Sequence, residues 1–559
     1  MLELTIPTLI IMAAFIAASQ PSTLKQWMLS GFVVAPFAFF VSFLATPTIA
    51  LDSVGIYVLS LVFAWAGYAI KSDMFLGSHA HQGATGLGLM SVTVLVLMSM
   101  TFTTWGAFHS DEYRNILNVQ STEEFNASDL LLDQSQARFV DQKLAGRAAS
   151  EVIGGKLGMG SRYKVGSMSI QNVNDELIWV APFGNKKWTK WLFDGPTTPG
   201  YTRVSSRNFG DSEMVTGEDV EINYGTDGFY GFSYIPRHLY VNGYNTVHTT
   251  DYTMELNDQG KPYWVVSIFE KTVGFSGRVV SGVLIVDAKT GAIEQHGMDD
   301  IPAWVDRVQP ESIINEQIAD WGGFIDGWLN KAFVGNQVVE PTPGTSLVYS
   351  KDGRPMWYTG IQSNGQNQQG TMGFMLVDTR TGEATFYRRA GITETVAMTA
   401  VEGRVQEYDY KATYPIPYNV NGVSTFISVL KDKQGNPQMI GMVAYDNRSL
   451  NAVGEDLHTA TRRYQLALAN ESGGRNVTAG DDAIEITGVV VRLGTQQVDE
   501  SASIHFMVDT PEWSGRIFTA NTGRNVQTVL TEKNDTVKFK VNQTESDPII
   551  VKDFENLSL

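Results

Sequence analysis

The sequence predicts a multidomain protein: an N-terminal all-α transmembrane domain of four helices, an α+β repeat region, and a C-terminal small β-barrel. Three observations predict it. Four apolar runs fill the first 110 residues. One phrase occurs twice, as GVLIVDAKTGAIEQHG from Gly282 and as GFMLVDTRTGEATFYRRAG from Gly373. The last eighty or so residues break into short β-patterned runs. The expected boundaries are 1–110 for the helical domain, 111–298 and 299–470 for two α+β regions, 471–482 for a linker, and 483–559 for the barrel.

The four apolar runs are residues 5–19, 27–46, 54–70 and 83–108. A helix needs roughly 20 apolar residues to cross the hydrocarbon of a bilayer. The start, MLEL, carries an acid and no base, so the first run reads as a retained helix rather than a cleaved signal. Lys25 and Lys71 fall in alternate loops, and the positive-inside rule places those loops in the cytoplasm. Four spans then leave the rest of the chain outside it. No charged residue or histidine interrupts the runs, which argues against an ion or proton pathway.

The duplicated phrase extends upstream. A Gly-containing turn (Gly260, Gly353) leads into a strand centred on Trp264 or Trp357. A Gly-rich stretch follows, then a second strand of alternating apolar residues ending at Asp287 or Asp378. Gly291 and Gly382 stand four residues after the aspartates and close a further turn. A third copy places Phe426 and Asp446 in the corresponding roles, and a fourth lies upstream around ELIWVAPFG. Helical patterns over 126–154, 309–333 and 455–470 precede or follow the copies, which makes the region α+β.

VLIVDAKTGAIEQ and FMLVDTRTGEATF resemble the closing strand–turn–strand of PepSY-type domains. The matching positions are Val286, Asp287, Thr290 and Gly291, then Val377, Asp378, Thr381 and Gly382. The resemblance covers about half of the region after the apolar runs. It implies small extracytoplasmic α+β modules that bind proteins or restrain peptidases, and it implies no catalysis. The order of strands after residue 483 resembles an OB-fold, a barrel that in other proteins holds single-stranded nucleic acid. Residues 477–559 carry 13 acids and 7 bases, however, so Phe506, Phe518 and Phe539 read as core and not as base-stacking platforms.

The chain of 559 residues has no cysteine and a formal net charge of −18. Disulfides, thiolate metal sites and cysteine nucleophiles are excluded, and phosphate backbones are repelled. No serine-hydrolase elbow, zinc-protease helix, phosphate loop or dinucleotide fingerprint is present. His79 and His81 are too few to hold a metal. His296 beside Asp299 and Asp300 reads as an exposed turn, and Arg237-His238 as a basic pair facing solvent or a carboxylate. Asp287 and Asp378 read as Asx-type turns closed by Gly291 and Gly382, with cation or amine binding as the rival role. Trp264 and Trp357 read as core anchors, with a ligand cleft as the rival.

The expected function is therefore that of a membrane-anchored, non-enzymatic envelope protein whose repeats bind or scaffold other proteins. The alternatives are a membrane-bound regulator of a peptidase or envelope enzyme, and a DNA-handling membrane protein that uses the barrel. The expected partners are a membrane and proteins. No cofactor, metal or nucleic acid is expected, and an oligomer is left open.

Overall fold

A computed structural model describes residues 2–20, 23–74, 79–122, 138–208, 210–227, 231–350, 353–364, 370–420, 423–471, 484–498, 501–522, 525–541 and 549–559. It begins with four apolar helices, α1 (Leu2–Ser19), α2 (Leu24–Ala45), α3 (Val54–Met74) and α4 (His79–Thr104). The first three pack on one another through Ile11, Phe15, Ala38 and Phe63, and α4 lies against α3. Among the described residues, only the segment Gly86–Arg114 is long and apolar enough to cross a membrane. The other apolar cores, Glu3–Ser19, Gly31–Ala45 and Val54–Ala69, hold 10–17 residues each. At 1.5 Å rise per residue they reach roughly 22–26 Å, short of the ~30 Å of a bilayer's hydrocarbon. The expected all-α transmembrane domain of four helices is thereby corrected to one helix of spanning length within a mixed α/β protein. The expected fold class, which set that domain apart from an α+β repeat region and an OB-like barrel, does not hold.

Beyond the helices lie four β-modules built to one plan. Each has a central antiparallel pair: Glu176–Asn185 with Gly200–Ser205, Pro262–Val273 with Ser276–Asp287, Pro355–Ser363 with Gly373–Asp378, and Val423–Lys431 with Pro437–Ala444. In the four pairs Trp179 faces Val204, Trp264 faces Val286, Trp357 faces Val377 and Phe426 faces Val443. Two residues past each valine, a backbone carbonyl captures an upstream segment. Ser206 O accepts from Phe139 and Val140, Ala288 O from Asn223 and Tyr224, Thr379 O from Val308 and Gln309, and Tyr445 O from Ile392. These clips begin 84 or 85 residues apart, so the unit occurs four times. The indole Nε1–H groups of Trp179, Trp264 and Trp357 donate to Val140 O, Tyr224 O and Gln309 O, each at 2.8 Å. Phe426 has no donor for this bond.

Helices follow three of the clips: Gln142–Gly155, Glu311–Gly323 and Glu394–Arg404. The first and last are capped by Asp141 and Thr393, whose side chains accept from Leu144 and Val396 N–H. The helix expected over 126–154 begins at 142; residues 123–137 lie outside the described set, as do 472–483 of the expected linker.

The strands are apolar on both faces because both faces are covered. Trp179 and Trp357 share one core, while Ile178 and Val180 pack with Trp264 and Leu284 of the second module in another. Tyr358 and Leu376 pack with Phe426 and Val443 of the fourth. The helix Leu457–Glu471 covers that module's far face through Tyr464 and Leu468. The expected alternation of apolar and polar residues is replaced by near-continuous apolar runs, as buried sheets require.

In the C-terminal unit, Ile484–Val498 pairs with both Ser501–Val508 and Thr536–Val541. Phe518–Asn521 pairs with Ile549–Ile550, and Thr536–Val541 with Lys552–Asn556. Only Val551 separates the two edge strands, so the sheet curls round on itself. The register shift that lets the long strand bend lies between Val490 and Arg492, two residues beyond Gly488. Phe506, Phe518 and Phe539 fill its core, each at most 1 % exposed.

Candidate functional site

The two aspartate turns have the same geometry. Asp287 Oδ1 accepts from Lys289 and Thr290 N–H at 2.9 and 2.8 Å, and Asp378 Oδ1 from Arg380 and Thr381 N–H at 2.8 and 2.9 Å. Gly291 and Gly382, at φ +75° and +76°, donate to Asp287 O and Asp378 O. Asp287 has one further partner, Lys261 Nζ at 2.5 Å. Burial raises its carboxyl pKa, but the Lys261 hydrogen bond and the two amides outweigh that and hold it below the usual range. Trp264 and Trp357 are 1 % and 4 % exposed, so the two indoles face the core and line no open cleft. In the third copy Phe426 faces Val443, which puts Ala444 in the aspartate position; Asp446 lies two residues further on.

Arg237 is fully buried. It stacks 3.9 Å over the Phe43 ring and donates to Phe43 O and Gly231 O, which corrects the expected contact with solvent or a carboxylate. Its role is to dock the apolar helices. His296 lies in the strand Ile293–Gly297, opposite Val283, and 3.6 Å from both Glu294 and exposed Asp300; the expected turn begins after it. The side chains of His79 and His81 lie outside the described residues.

Two groupings were not anticipated from the sequence. The first is a buried joint where the first three modules meet. Glu255, 1 % exposed, accepts from Asp306 N–H at 2.8 Å and Arg307 N–H at 3.2 Å. Asp306 accepts from Asn172 N–H at 2.8 Å and Tyr349 OH at 3.1 Å. Arg380 donates to four carbonyls of the 301–305 segment. Burial raises the Glu255 carboxyl well above the usual glutamate range, and nearby Asp306 adds to the effect. Both Glu255 oxygens and Asp306 Oδ2 are held by the protein's own donors, which ties the three modules together.

The second is a cleft of about 710 Å³ between the Gln142–Gly155 helix of the first module and the sheet of the fourth. Its bases are Arg138, Lys143, Arg147, Lys411, Lys431 and Lys433; its acids are Asp141 and Asp432. Lys431 pairs with Asp141 at 2.5 Å and Arg147 holds Asn436 Oδ1 at 2.9 Å, which ties the two walls together. Arg138 donates to Leu347 O, and burial lowers its guanidinium pKa. Lys411 and Lys433 pair with Glu402 and Asp409 at 3.2 and 3.1 Å, so among the described residues Lys143 and Arg147 are the bases of this cleft that carry no carboxylate partner and reach its open side, on a chain of net charge −18. A local signal existed in the basic stretches 138–147 and 411–435, but nothing in one dimension joins them. Among the described residues no group of three or more His, Asp or Glu is placed to hold a metal ion.

No family model and no curated protein matches the chain. Solved structures give distant likenesses. An exo-β-1,3-galactanase from Clostridium thermocellum aligns at 10 % identity over 69 % of this chain, which spans 60 % of that protein, with a TM-score of 0.18. An endo-1,4-β-xylanase from Bacteroides thetaiotaomicron aligns at 12 % identity over 52 % of this chain and 76 % of its own, with a TM-score of 0.17. Likenesses of this size carry no argument about fold or activity.

Proposed function

We propose that the protein is a membrane-attached, non-enzymatic scaffold whose four modules bind other proteins, with the basic cleft taking an acidic segment of the partner. The carrying observation is the apolar surface that the helices present. Phe32 is 86 % exposed, Leu87 69 % and Leu95 65 %, far more than a soluble surface tolerates in one place. The helices are not loosely tethered. Ile49 N–H donates to Asn245 O, Tyr240 OH to Pro47 O, and Lys271 Nζ to Asp52 O, so the segment between α2 and α3 is tied to the modules. An extracytoplasmic position of the modules is part of the same proposal. PepSY-like character of the modules is part of the same reading.

The test uses the full chain, which has no cysteine of its own. A cysteine at Ser558 is expected to react with an impermeant maleimide on intact cells, and the protein to float with vesicles. A labelled glutamate-rich peptide is expected to bind the reconstituted protein, and Lys143→Glu with Arg147→Glu to abolish that binding. Protection of residue 558 until lysis would overturn the sidedness, and peptide binding indifferent to the charge reversal would overturn the cleft's role.

A further inference from the structure

All four apolar helices meet the modules at one end. Phe43, near the end of α2, meets Phe232 edge to face, with ring centroids 5.5 Å apart. Tyr57, near the start of α3, stands 6.2 Å from Phe275, and Asp52 just before α3 pairs with His248 at 2.9 Å. Trp105, just past α4, stands 5.4 Å from Trp328. Around this end the modules carry large apolar side chains that are exposed. Between residues 110 and 470, nine large hydrophobic residues are exposed among those described, and seven of them lie here. Leu157, Leu192, Phe193 and Phe232 form one rim, and Leu329, Phe333 and Val334 the other. Met372 and Tyr408 are the two that lie elsewhere.

The first rim is continuous. The Trp191 ring packs against Gly231, next to Phe232, and Lys186 N–H donates to Arg162 O, which brings the loop of Leu157 beside the Trp188–Asp194 helix. Phe193 is 83 % exposed at its tip, and Lys156, Arg162, Lys186 and Lys187 stand exposed around it. In the second rim Phe333 is 78 % exposed beside Trp328, with Lys331 held by Asp320 and over the Phe324 ring.

We propose that the two rims are interfacial feet that sink into the headgroup–acyl boundary of an anionic bilayer on either side of the apolar helices. Aromatic and leucine tips flanked by lysine suit that boundary, where one end of the side chain is apolar and the other wet. The basic residues of the first rim favour acidic headgroups although the chain as a whole is acidic. The geometry gives one plane: both rims touch the helix ends where the helices leave the modules. The inference rests on the membrane attachment proposed above and adds the depth at which the modules ride.

Single cysteines at Phe193, Phe333 and, as control, Tyr408 would carry an environment-sensitive fluorophore on the full chain. The protein would be reconstituted into vesicles of phosphatidylcholine with phosphatidylglycerol. Emission is expected to shift to the blue at 193 and 333, with quenching by lipids brominated near the headgroup, and to stay water-like at 408. Lys186→Glu with Lys187→Glu should reduce the shift at 193 on these vesicles. Water-like emission at 193 and 333 in protein that still floats with the vesicles would overturn the feet and leave attachment standing. Protein that fails to float would overturn attachment and the feet together. Equal shifts on purely zwitterionic and anionic vesicles would overturn the headgroup preference.

Discussion

Trp357→Phe tests whether the indole-to-carbonyl bond locks each module. Trp357 is 4 % exposed and its Nε1–H reaches Gln309 O at 2.8 Å. Phenylalanine keeps the ring in the core but leaves that carbonyl without its donor, which costs ~1–2 kcal/mol. The indole also buries on the order of 50 Å² more than a phenyl ring, or ~1 kcal/mol. The sum is about 2–3 kcal/mol, and it falls on one place, the clip whose Val308 and Gln309 amides donate to Thr379 O. The assay is hydrogen exchange read by mass spectrometry on peptides covering 305–312. Since 1.4 kcal/mol is tenfold, these amides should exchange about 30- to 140-fold faster. Trp179→Phe and Trp264→Phe should act likewise on 139–140 and 223–224, leaving the other clips as they were. A change under ~3-fold at the clip, or an equal loss at all four clips, would refute the idea that each module closes on its own tryptophan.

Asp287→Ala should destabilise the chain by about 2 kcal/mol and Asp378→Ala by about 1, because both lose two amide bonds but only Asp287 loses a lysine; equal shifts in denaturant midpoint would count against the Lys261 contribution. The depressed Asp287 pKa adds stability above the ordinary aspartate range, and this is lost as pH falls, so Asp287→Ala should flatten the acid limb of a melting-temperature profile. Glu255 works with the opposite sign. Its raised pKa means the folded state is favoured below the ordinary glutamate range of 4.5 and penalised as pH rises above it. Glu255→Gln should therefore lose less stability than wild type between mildly acidic and mildly alkaline pH; parallel profiles would contradict the burial argument. Gly274, at φ +57°, leaves no room for a side chain, since a Cβ there would stand 2.3 Å from Thr103 O of α4. Gly274→Ala should cost ~2 kcal/mol or more and loosen α4 from the modules, seen as faster proteolysis near residue 105.

What the sequence made legible tracks what is local. The second and third modules announce themselves because the Asx turn after Val286 and Val377 needs Asp and Gly at fixed offsets. The first and fourth carry Ser205 and Ala444 at that offset, so their identity rests on strand register, a property of pairs. Phe426 was aligned to Asp446 for want of that register. The apolar runs were plain, but in the second and third the apolar core of the helix is shorter than the run. Sheet strands buried on both faces carry no alternation to read. The basic cleft joins residues 138–147 to residues 411–435, and Glu255 finds Asp306 across the fold; only packing brings such residues together.

One short strand sets the order in which the chain can be finished. Val119–Thr122, directly after the helices, runs parallel to Ala384–Tyr387 as the edge of the third module's sheet. On the ribosome the leading strand must wait for about 265 further residues, tens of seconds at ~5–20 residues per second. Until then the leading strand has no sheet to join, and the two modules made in between must fold without capturing it. The array therefore behaves as a closed loop rather than a string of beads. Cutting out the third module would leave the strand Val119–Thr122 with nothing to join, and truncation after residue 350 should yield an aggregation-prone chain instead of a shorter protein.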